Sequence, residues 1–293
     1  DIYRRTIMIL VLGQTGYIGS QFINELEYRK LPYIGLSRVD INYCNYSDLF
    51  SYVTTSNLRG FDLIINCAGY IGRPNVDACE DHKAETIEGN VVLPKMLSDI
   101  CVETGYTKLM HISSGCIYNG YDKTYTEEDP PDFCFKTNNG SFYSGCKALA
   151  EDLINKDNSY ICRLRIPFDE FDNSRNYFSK LKNYDKLLNA ENSISHRADF
   201  VKACLDLYEM NCDTGIYNVV NTGSVTTAWV AQQMAKYNIK NNFSFFSSEE
   251  EFYKFGAKAP RSNCLLDNSK LLNAGVKIRN TEEAVDDSLK KWN

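Results

Sequence analysis

Three glycines spaced three residues apart, directly after the first apolar run, place the strongest constraint on the fold. The run Ile7–Leu12 has the length of a buried strand, and a helical pattern starts within the glycine segment. Glycines at this spacing permit a tight strand-to-helix turn whose N–H groups can bind a pyrophosphate. The sequence therefore predicts a dinucleotide-binding turn made by Gly13, Gln14, Thr15, Gly16, Tyr17, Ile18 and Gly19.

Further apolar runs of strand length alternate with amphipathic helical stretches, and this alternation weakens after about residue 165. The pattern is typical of a parallel sheet covered by helices. We therefore predict an α/β fold, with a Rossmann-type doubly wound parallel sheet and a smaller C-terminal substrate-binding lobe. Residues 1–165 and about 190–238 are expected to form the NADP-binding domain, and residues from about 166–189 and 239–293 the substrate-binding lobe.

The predicted strands are Ile7–Leu12, Tyr33–Leu36, Leu63–Asn66, Lys108–Ile112 and Tyr160–Leu164. The predicted helices are Tyr17–Arg29, Ser47–Thr54, Val76–Thr104 with a break, Phe142–Asn155, Arg175–Leu188, Arg197–Glu209, Thr226–Tyr237 and Thr281–Lys290.

Composition and charge argue against several classes of protein. The chain has 293 residues, a net charge of −6 and no block of basic residues, so a nucleic-acid partner is not expected. No segment approaches the roughly 20 apolar residues that span a bilayer. The 11 cysteines include no Cys-x-x-Cys pair, which argues against a metal site or a disulfide framework. Reduced thiols indicate a cytoplasmic enzyme.

The first residues resemble a signal peptide only superficially. Arg4 and Arg5 precede an apolar run, but that run is short and leads into the glycine turn rather than a cleavage site. We interpret it as a buried strand. Because the chain begins with Asp1 rather than Met, we expect a processed or engineered N-terminus.

The end of the second predicted strand indicates which dinucleotide is bound. An acidic residue there would bind the ribose 2′-OH of NAD, but this chain has Ser37 and Arg38. The planar guanidinium of arginine suits a phosphate, which favours NADPH, with NADH tolerated. The small-residue passage that ends the third strand lets a cofactor approach the backbone closely. The further residues expected at the cofactor are Asn66, Ala68, Gly69, Asn90 and Pro167.

Tyr143 and Lys147 are four residues apart, which places both side chains on one face of a helix. A lysine ammonium near a tyrosine stabilises the phenolate and lowers a pKa that is normally about 10. Ser114, at the end of a predicted strand, adds a hydroxyl that can share the proton. These three residues predict proton transfer at a carbonyl or alcohol oxygen while hydride moves at carbon, and we also expect Tyr143 and Lys147 to contact the cofactor.

These motifs together resemble an extended short-chain dehydrogenase/reductase. The closer resemblance is to the bifunctional UDP-4-keto-6-deoxyglucose 3,5-epimerase/4-reductases of UDP-L-rhamnose synthesis, which are related to the dTDP-4-dehydrorhamnose reductases. The segments that carry it are Ala68–Lys83, Ser114–Tyr118, Gly140–Ser144, Asn173–Lys180 and Ala259–Asn263.

The resemblance implies roles for particular residues. It assigns reduction to Ser114, Tyr143 and Lys147, and it assigns the acid/base chemistry of epimerisation to Cys116 and Lys180. The family often has threonine where this chain has Ser114, which keeps the hydroxyl. The resemblance also implies a UDP-sugar substrate and a homodimer. The residues expected to contact the substrate are Arg73, Asn75, Ser114, Cys116, Asn176 and Arg261.

Two alternatives remain open from the sequence. The first is a 4-reductase that acts only on a dTDP- or UDP-4-keto-L-rhamnose that has already been epimerised. The second is a non-catalytic NADP-binding subunit, such as the regulatory subunit of methionine adenosyltransferase, which resembles this fold. The presence of Ser114, Tyr143 and Lys147 together argues against the second alternative.

Overall fold

The structure of the protein is a computed structural model that describes residues 7–56 and 60–293. The expectations for Asp1 and for the basic pair Arg4 and Arg5 lie outside these residues. Within them, no helix has both the length and the apolar character that a membrane crossing requires.

Strand β1 (Ile9–Leu12) forms where four consecutive aliphatic residues are completely buried. Such a run is typical of a parallel strand that is covered on both faces. β1 lies between β2 (Tyr33–Leu36) and β3 (Leu63–Asn66) and runs parallel to both.

The central sheet has three further strands, β4 (Lys108–Ser114), β6 (Ser159–Leu164) and β10 (Gly215–Asn218). The complete order is β10-β6-β4-β3-β1-β2, and β4 runs parallel to β3. The order reverses between β1 and β3, and ligands of such sheets bind beyond the carboxyl ends of the strands at this point. The predicted α/β fold with a Rossmann-type parallel sheet is confirmed.

Helices connect and cover these strands. A π-helical turn, Glu88–Val92, lies between two of them. The α-helices are α1 (Tyr17–Arg29), α2 (Tyr46–Thr55), α3 (Ala78–Asp81), α4 (Lys83–Ile87), α5 (Leu93–Thr104), α6 (Phe142–Leu153), α7 (Tyr177–Asn183), α8 (Arg197–Glu209), α9 (Thr227–Lys236), α10 (Glu249–Phe255), α11 (Ser269–Asn273) and α12 (Thr281–Lys290).

The chain divides into two compact units. The first comprises Asp1–Ser113, Cys146–Cys162 and Asp213–Ile216, and the second comprises Ser114–Gly145, Arg163–Cys212 and Tyr217–Asn293. The second unit therefore takes up more of the chain than the sequence predicted for the substrate lobe. The assignment of cofactor and substrate to separate domains stays a prediction.

Each unit has its own apolar core. In the first unit, sheet residues such as Leu10 and Ile64 pack with Leu97 of α5. In the second, Phe168 and Phe178 pack with residues of α9 and α12. The second unit also contains short strand pairs, namely β5 (Gly120–Tyr125) with β12 (Cys264–Leu266), β7 (Pro167–Phe168) with β9 (Ser195–His196), and β8 (Glu191–Asn192) with β11 (Val225–Thr226).

The predicted elements of the sheet and most helices are confirmed, with two informative differences. The helix predicted for Arg175–Leu188 is shorter, because Asn176 caps its start and Tyr184 has an extended backbone that ends it. The break predicted within Val76–Thr104 is larger than a single kink, since α3 and α4 meet at His82 and the π-helical turn follows.

Candidate functional site

The turn after β1 requires glycine because the backbone of the segment that follows β3 approaches it closely. A Cβ added to Gly13, which has φ +80°, would lie 2.8 Å from the nitrogen of Ala68. A Cβ at Gly19 would lie 2.0 Å from the oxygen of Gly13. Gly16, which precedes α1, has no side chain to cap the first N–H groups of the helix. Such a helix N-terminus is suited to bind an anion.

Tyr43 holds this turn against the end of β2, and no motif in the sequence indicates this role. Its hydroxyl accepts a hydrogen bond from the nitrogen of Gly13 (3.1 Å) and donates one to the oxygen of Leu36 (2.8 Å). Burial raises the pKa of Tyr43 to about 12, so its hydroxyl keeps its proton at neutral pH. Tyr43 therefore fixes the turn that precedes α1.

The end of β2 carries an acidic group that sequence reasoning also missed. Asp40 is exposed, and its Oδ2 accepts hydrogen bonds from both the nitrogen and the Oγ of Ser37, each at 2.7 Å. These bonds lower the pKa of Asp40, which keeps the carboxylate ionised. Arg38, in the same turn, is exposed.

The predicted passage at the end of β3 is held by side-chain hydrogen bonds. Asn66 Oδ1 accepts from the nitrogen of Ala68 (3.1 Å), and Asn66 Nδ2 lies 3.2 Å from Nδ1 of His111. Burial, and to a lesser extent the positive charge of Lys147, hold the pKa of His111 well below its usual value. A neutral imidazole nitrogen can accept from Asn66, so the pair fixes the Asn66 amide.

Asn90 lies against this passage, within the π-helical turn. A Cβ at Gly69 would be 2.8 Å from Oδ1 of Asn90, while Asn90 Nδ2 donates to the oxygens of Tyr70 (2.6 Å) and Thr86 (3.0 Å). Asn90 is completely buried, and its Oδ1 has no hydrogen-bond partner among the described residues. π-helical turns are frequent at functional sites. The predicted contact of Asn90 with the cofactor stays a prediction.

Tyr143 and Lys147 lie on α6, one turn apart. Ser141 supports the start of this helix, because its Oγ accepts from the nitrogen of Ser144 at 3.1 Å. Lys147 is 5% exposed, and its Nζ donates to the oxygen of Ile112 in β4 at 3.1 Å. Tyr143 is half-buried.

Ser114 and Cys116 lie at the end of β4, where the chain enters a 3₁₀ turn (Gly115–Ile117). The Oγ of Ser114 accepts from the nitrogen of Cys116 at 3.2 Å. Ile117 is completely buried and anchors the turn, whereas Cys116 is partly exposed. The turn thus places a hydroxyl and a thiol two residues apart.

Lys180 lies on α7 with two arginines nearby. Burial, and then the charges of Arg175 and Arg261, lower the pKa of Lys180 to about 8. Arg261 donates from Nη1 to the oxygen of Ala259 (3.0 Å). A lysine in this environment exchanges its proton readily near neutral pH.

Asn176 holds the start of α7 rather than presenting its amide to solvent. It is completely buried, and its Oδ1 accepts from the nitrogen of Phe178 at 2.9 Å. Its Nδ2 contacts the backbone oxygens of Asp169 (2.9 Å) and Phe171 (2.8 Å) and the Oδ1 of Asp169 (2.7 Å). These contacts make Asn176 the cap of the helix that carries Lys180, and the predicted substrate contact stays a prediction.

We expect Asn176→Ala to lower the free energy of unfolding by about 2–4 kcal/mol, because it removes a helix cap and leaves buried polar groups without partners. Urea denaturation measures this loss. Asn45→Ala is the matched control, since Asn45 caps α2 from an exposed position. Its expected cost is about 1 kcal/mol. Equal losses in the two variants would contradict the role given to Asn176.

The remaining predicted residues lie in different parts of the chain. Arg73 and Asn75 both lie in the loop between β3 and α3. Arg73 is exposed, and the Oδ1 of Asn75 accepts a hydrogen bond from the nitrogen of Asp77 at 2.8 Å. Pro167 begins β7 in the second unit. Among the described residues, no group of three or more His, Cys, Asp or Glu side chains is arranged to hold a metal ion.

Comparison with known proteins places these residues in a family. The family model described as RmlD substrate binding domain matches residues 7–293. The chain is 34% identical to a bifunctional dTDP-4-dehydrorhamnose 3,5-epimerase/dTDP-4-dehydrorhamnose reductase of Arabidopsis thaliana, over 94% of this chain and 90% of that protein. It is 32% identical to the trifunctional UDP-glucose 4,6-dehydratase/3,5-epimerase/reductase RHM3 of the same plant, over 92% of this chain. The chain spans only 40% of that trifunctional protein.

Solved structures show the same fold. The UDP-rhamnose synthase L780 of Acanthamoeba polyphaga mimivirus superimposes with a TM-score of 0.87 at 23% identity, covering 98% of this chain and all of that one. A dTDP-4-dehydrorhamnose reductase of Bacillus anthracis, solved in complex with NADP, gives a TM-score of 0.79 at 21% identity, covering 98% and 99% of the two chains. The resemblance that the sequence motifs predicted is confirmed.

Proposed function

Because the chain belongs to the RmlD substrate-binding-domain family, we propose that it is an NADPH-dependent nucleotide-sugar 3,5-epimerase/4-reductase. In this proposal it converts UDP-4-keto-6-deoxy-D-glucose to UDP-L-rhamnose, by inversion at C3 and C5 followed by reduction at C4. The observation that carries the proposal is helix α6, which holds Tyr143 and the buried Lys147 one turn apart. The relative of similar length is named for both activities.

The cofactor assignment is supported by the space that the first unit leaves for it. Side chains at Gly13 or Gly19 would collide with backbone, and the buried Oδ1 of Asn90 has no hydrogen-bond partner among the described residues. We assign the pyrophosphate to the N-terminus of α1 and the adenosine ribose to Ser37 and Arg38. When bound, a reduced nicotinamide supplies hydride. The NADP complex of the Bacillus anthracis relative supports this class of cofactor.

In the proposed reduction, Tyr143 gives a proton to the O4 of the sugar. Lys147 favours loss of that proton, because its positive charge stabilises the phenolate from one helical turn away. Ser114 donates a hydrogen bond to the same oxygen as negative charge develops on it, which stabilises the transition state. The backbone contact of Lys147 with Ile112 restricts the ammonium to one position.

In the proposed epimerisation, Cys116 removes the proton beside the C4 ketone and Lys180 returns one on the opposite face. The ketone stabilises the resulting enolate, and Tyr143 and Ser114 hydrogen-bond its oxygen. Lys180 is assigned as the acid because, with a pKa of about 8, most of it is protonated at pH 7. The neighbouring charges of Arg175 and Arg261 favour release of that proton.

The rate of inversion should fall at alkaline pH, above about 8, because only the ammonium form of Lys180 can donate a proton. Well above that value the loss approaches tenfold per pH unit. Proton NMR of the sugar between pH 6.5 and pH 9.5 measures the rate. Arg175→Gln should move the falling limb to higher pH, since it removes a positive neighbour. An inversion rate that is still constant or rising at pH 9.5 would show that Lys180 is not the acid.

We also propose that the protein forms a homodimer. In the first unit, Ile87, Val92, Leu149 and Leu153 are each about two-fifths exposed, and they lie on α4, the π-helical turn and α6. Clustered exposed aliphatic residues are typical of an interface between copies, and we propose that these four residues contribute to one. Sedimentation of a monomer at micromolar concentration would contradict this assignment.

Because all 11 cysteines are free, we place the protein in the cytoplasm, where thiols stay reduced.

Mass spectrometry and NMR of the products test the whole proposal. UDP- and dTDP-4-keto-6-deoxyglucose are each incubated with NADPH and with NADH. The expected product is the rhamnose nucleotide, formed fastest from the UDP substrate, as the names of RHM3 and L780 suggest. A product reduced at C4 without inversion at C3 and C5 would leave a reductase that needs a separate epimerase. If neither substrate is turned over, the remaining interpretation is a non-catalytic NADP-binding subunit.

A further inference from the structure

The turn that follows β2 is closed by a carboxylate. The nitrogen of Asp40 donates to the oxygen of Ser37 at 3.1 Å, which makes a four-residue turn. In return, Oδ2 of Asp40 accepts from the nitrogen and the Oγ of Ser37, both at 2.7 Å. The nitrogen of Val39 also contacts the Ser37 Oγ, at 3.4 Å. The fold of the turn therefore brings an acid three residues further along the chain back to the strand end.

Two side chains of opposite charge, each of which favours a different dinucleotide, consequently lie in the turn that follows β2. At the end of the second strand in this fold, a carboxylate binds the 2′-OH of NAD and an arginine binds the 2′-phosphate of NADP. Here the carboxylate is that of Asp40 and the arginine is Arg38. Among the described residues, Arg38 forms no ion pair with Asp40.

We propose that Asp40 is a specificity-determining residue that allows NADH to compete with NADPH. The inference rests on the proposed function and concerns its cofactor. With NADH, the carboxylate accepts a hydrogen bond from the ribose 2′-OH. With NADPH, the same carboxylate occupies both donors of Ser37 and repels the 2′-phosphate, while Arg38 attracts it.

The test is Asp40→Asn, which keeps the shape of the side chain and removes its charge. The ratio of kcat/KM for NADPH to kcat/KM for NADH should rise about tenfold, the size expected for a carboxylate about 6 Å from a doubly charged phosphate in water. The change should occur in KM and in the dissociation constants measured by cofactor fluorescence. It should shrink at high salt, because the groups are exposed and therefore screened.

Asp48→Asn is the matched control. Asp48 is another exposed carboxylate after β2, at the start of α2, and its replacement changes the net charge by the same amount. The cofactor ratio should stay unchanged in this variant. An unchanged or lower ratio in Asp40→Asn would overturn the proposed role of Asp40. If the wild-type protein binds neither cofactor, the proposed function itself fails, so the two failures are distinguishable.

Discussion

Replacing Tyr143 with phenylalanine is expected to reduce the rate of 4-keto reduction by ~10²–10⁴-fold, the usual contribution of a positioned proton donor. The phenyl ring fills the same space on α6, but no hydroxyl remains to protonate O4. The expected loss is in kcat, because the proton moves in the transition state and not on binding. Consumption of NADPH, followed by absorbance with the 4-keto substrate, measures it.

Two observations separate this result from a loss of folding. Tyr143→Phe should still bind NADPH, as measured by fluorescence. Tyr28→Phe, the same replacement at a residue that is 83% exposed, should reduce the substrate at the wild-type rate. A normal kcat in Tyr143→Phe would remove Tyr143 from the mechanism.

Cys116→Ser and Lys180→Met should each abolish inversion at C3 and C5, but they should differ in hydrogen exchange. In deuterated water without NADPH, Cys116→Ser should neither exchange nor invert, because the base is lost. Lys180→Met should still incorporate deuterium with retained configuration, since the thiol can return a solvent deuteron to the face from which it took the proton. NMR of the sugar measures both outcomes.

The controls keep the rest of the protein in place. Lys182→Met changes a lysine of the same helix whose Nζ is bound to Asp172 at 2.7 Å, and it should invert normally. Both test variants should still reduce a 4-keto-L-rhamnose nucleotide. Exchange that persists in Cys116→Ser would exclude Cys116 as the base. Normal inversion in Lys180→Met would exclude Lys180.

Five of the six strands of the central sheet could be predicted from the sequence because their determinants are local, whereas β10 was not predicted. β2 and β3 have the predicted ends, since each is an apolar run between turn residues. α1, α8 and α12 also have the predicted ends. Most short strands of the second unit were missed, because two or three residues are too few to show a period of two. β5 has six residues and was missed because only its last residue, Tyr125, is buried. Pairs such as β7 with β9 depend on contacts between distant residues.

The residues of the candidate site also differ in whether the sequence reveals them. The glycine turn and the pair on α6 are spacing patterns, so the sequence reveals them. Tyr43 and Asp40 act through hydrogen bonds that exist only once the chain has turned, and no residue pattern indicates those bonds. Asn176 was recognised as part of a matching segment, but only its burial and its contacts show that it caps α7.

The π-helical turn at Glu88–Val92 has a consequence for how the chain tolerates insertions and deletions. A π-helical turn holds one residue more than the α-helical turn it replaces. Deletion of Gly89 would restore a regular helix, but it would rotate the preceding turn by about 100° relative to α5, because an α-helix has about 3.6 residues per turn. After this rotation, Asn90 could not face Gly69 at the same time as Ile87 keeps its exposed position. We therefore expect this helix to accept no change of length.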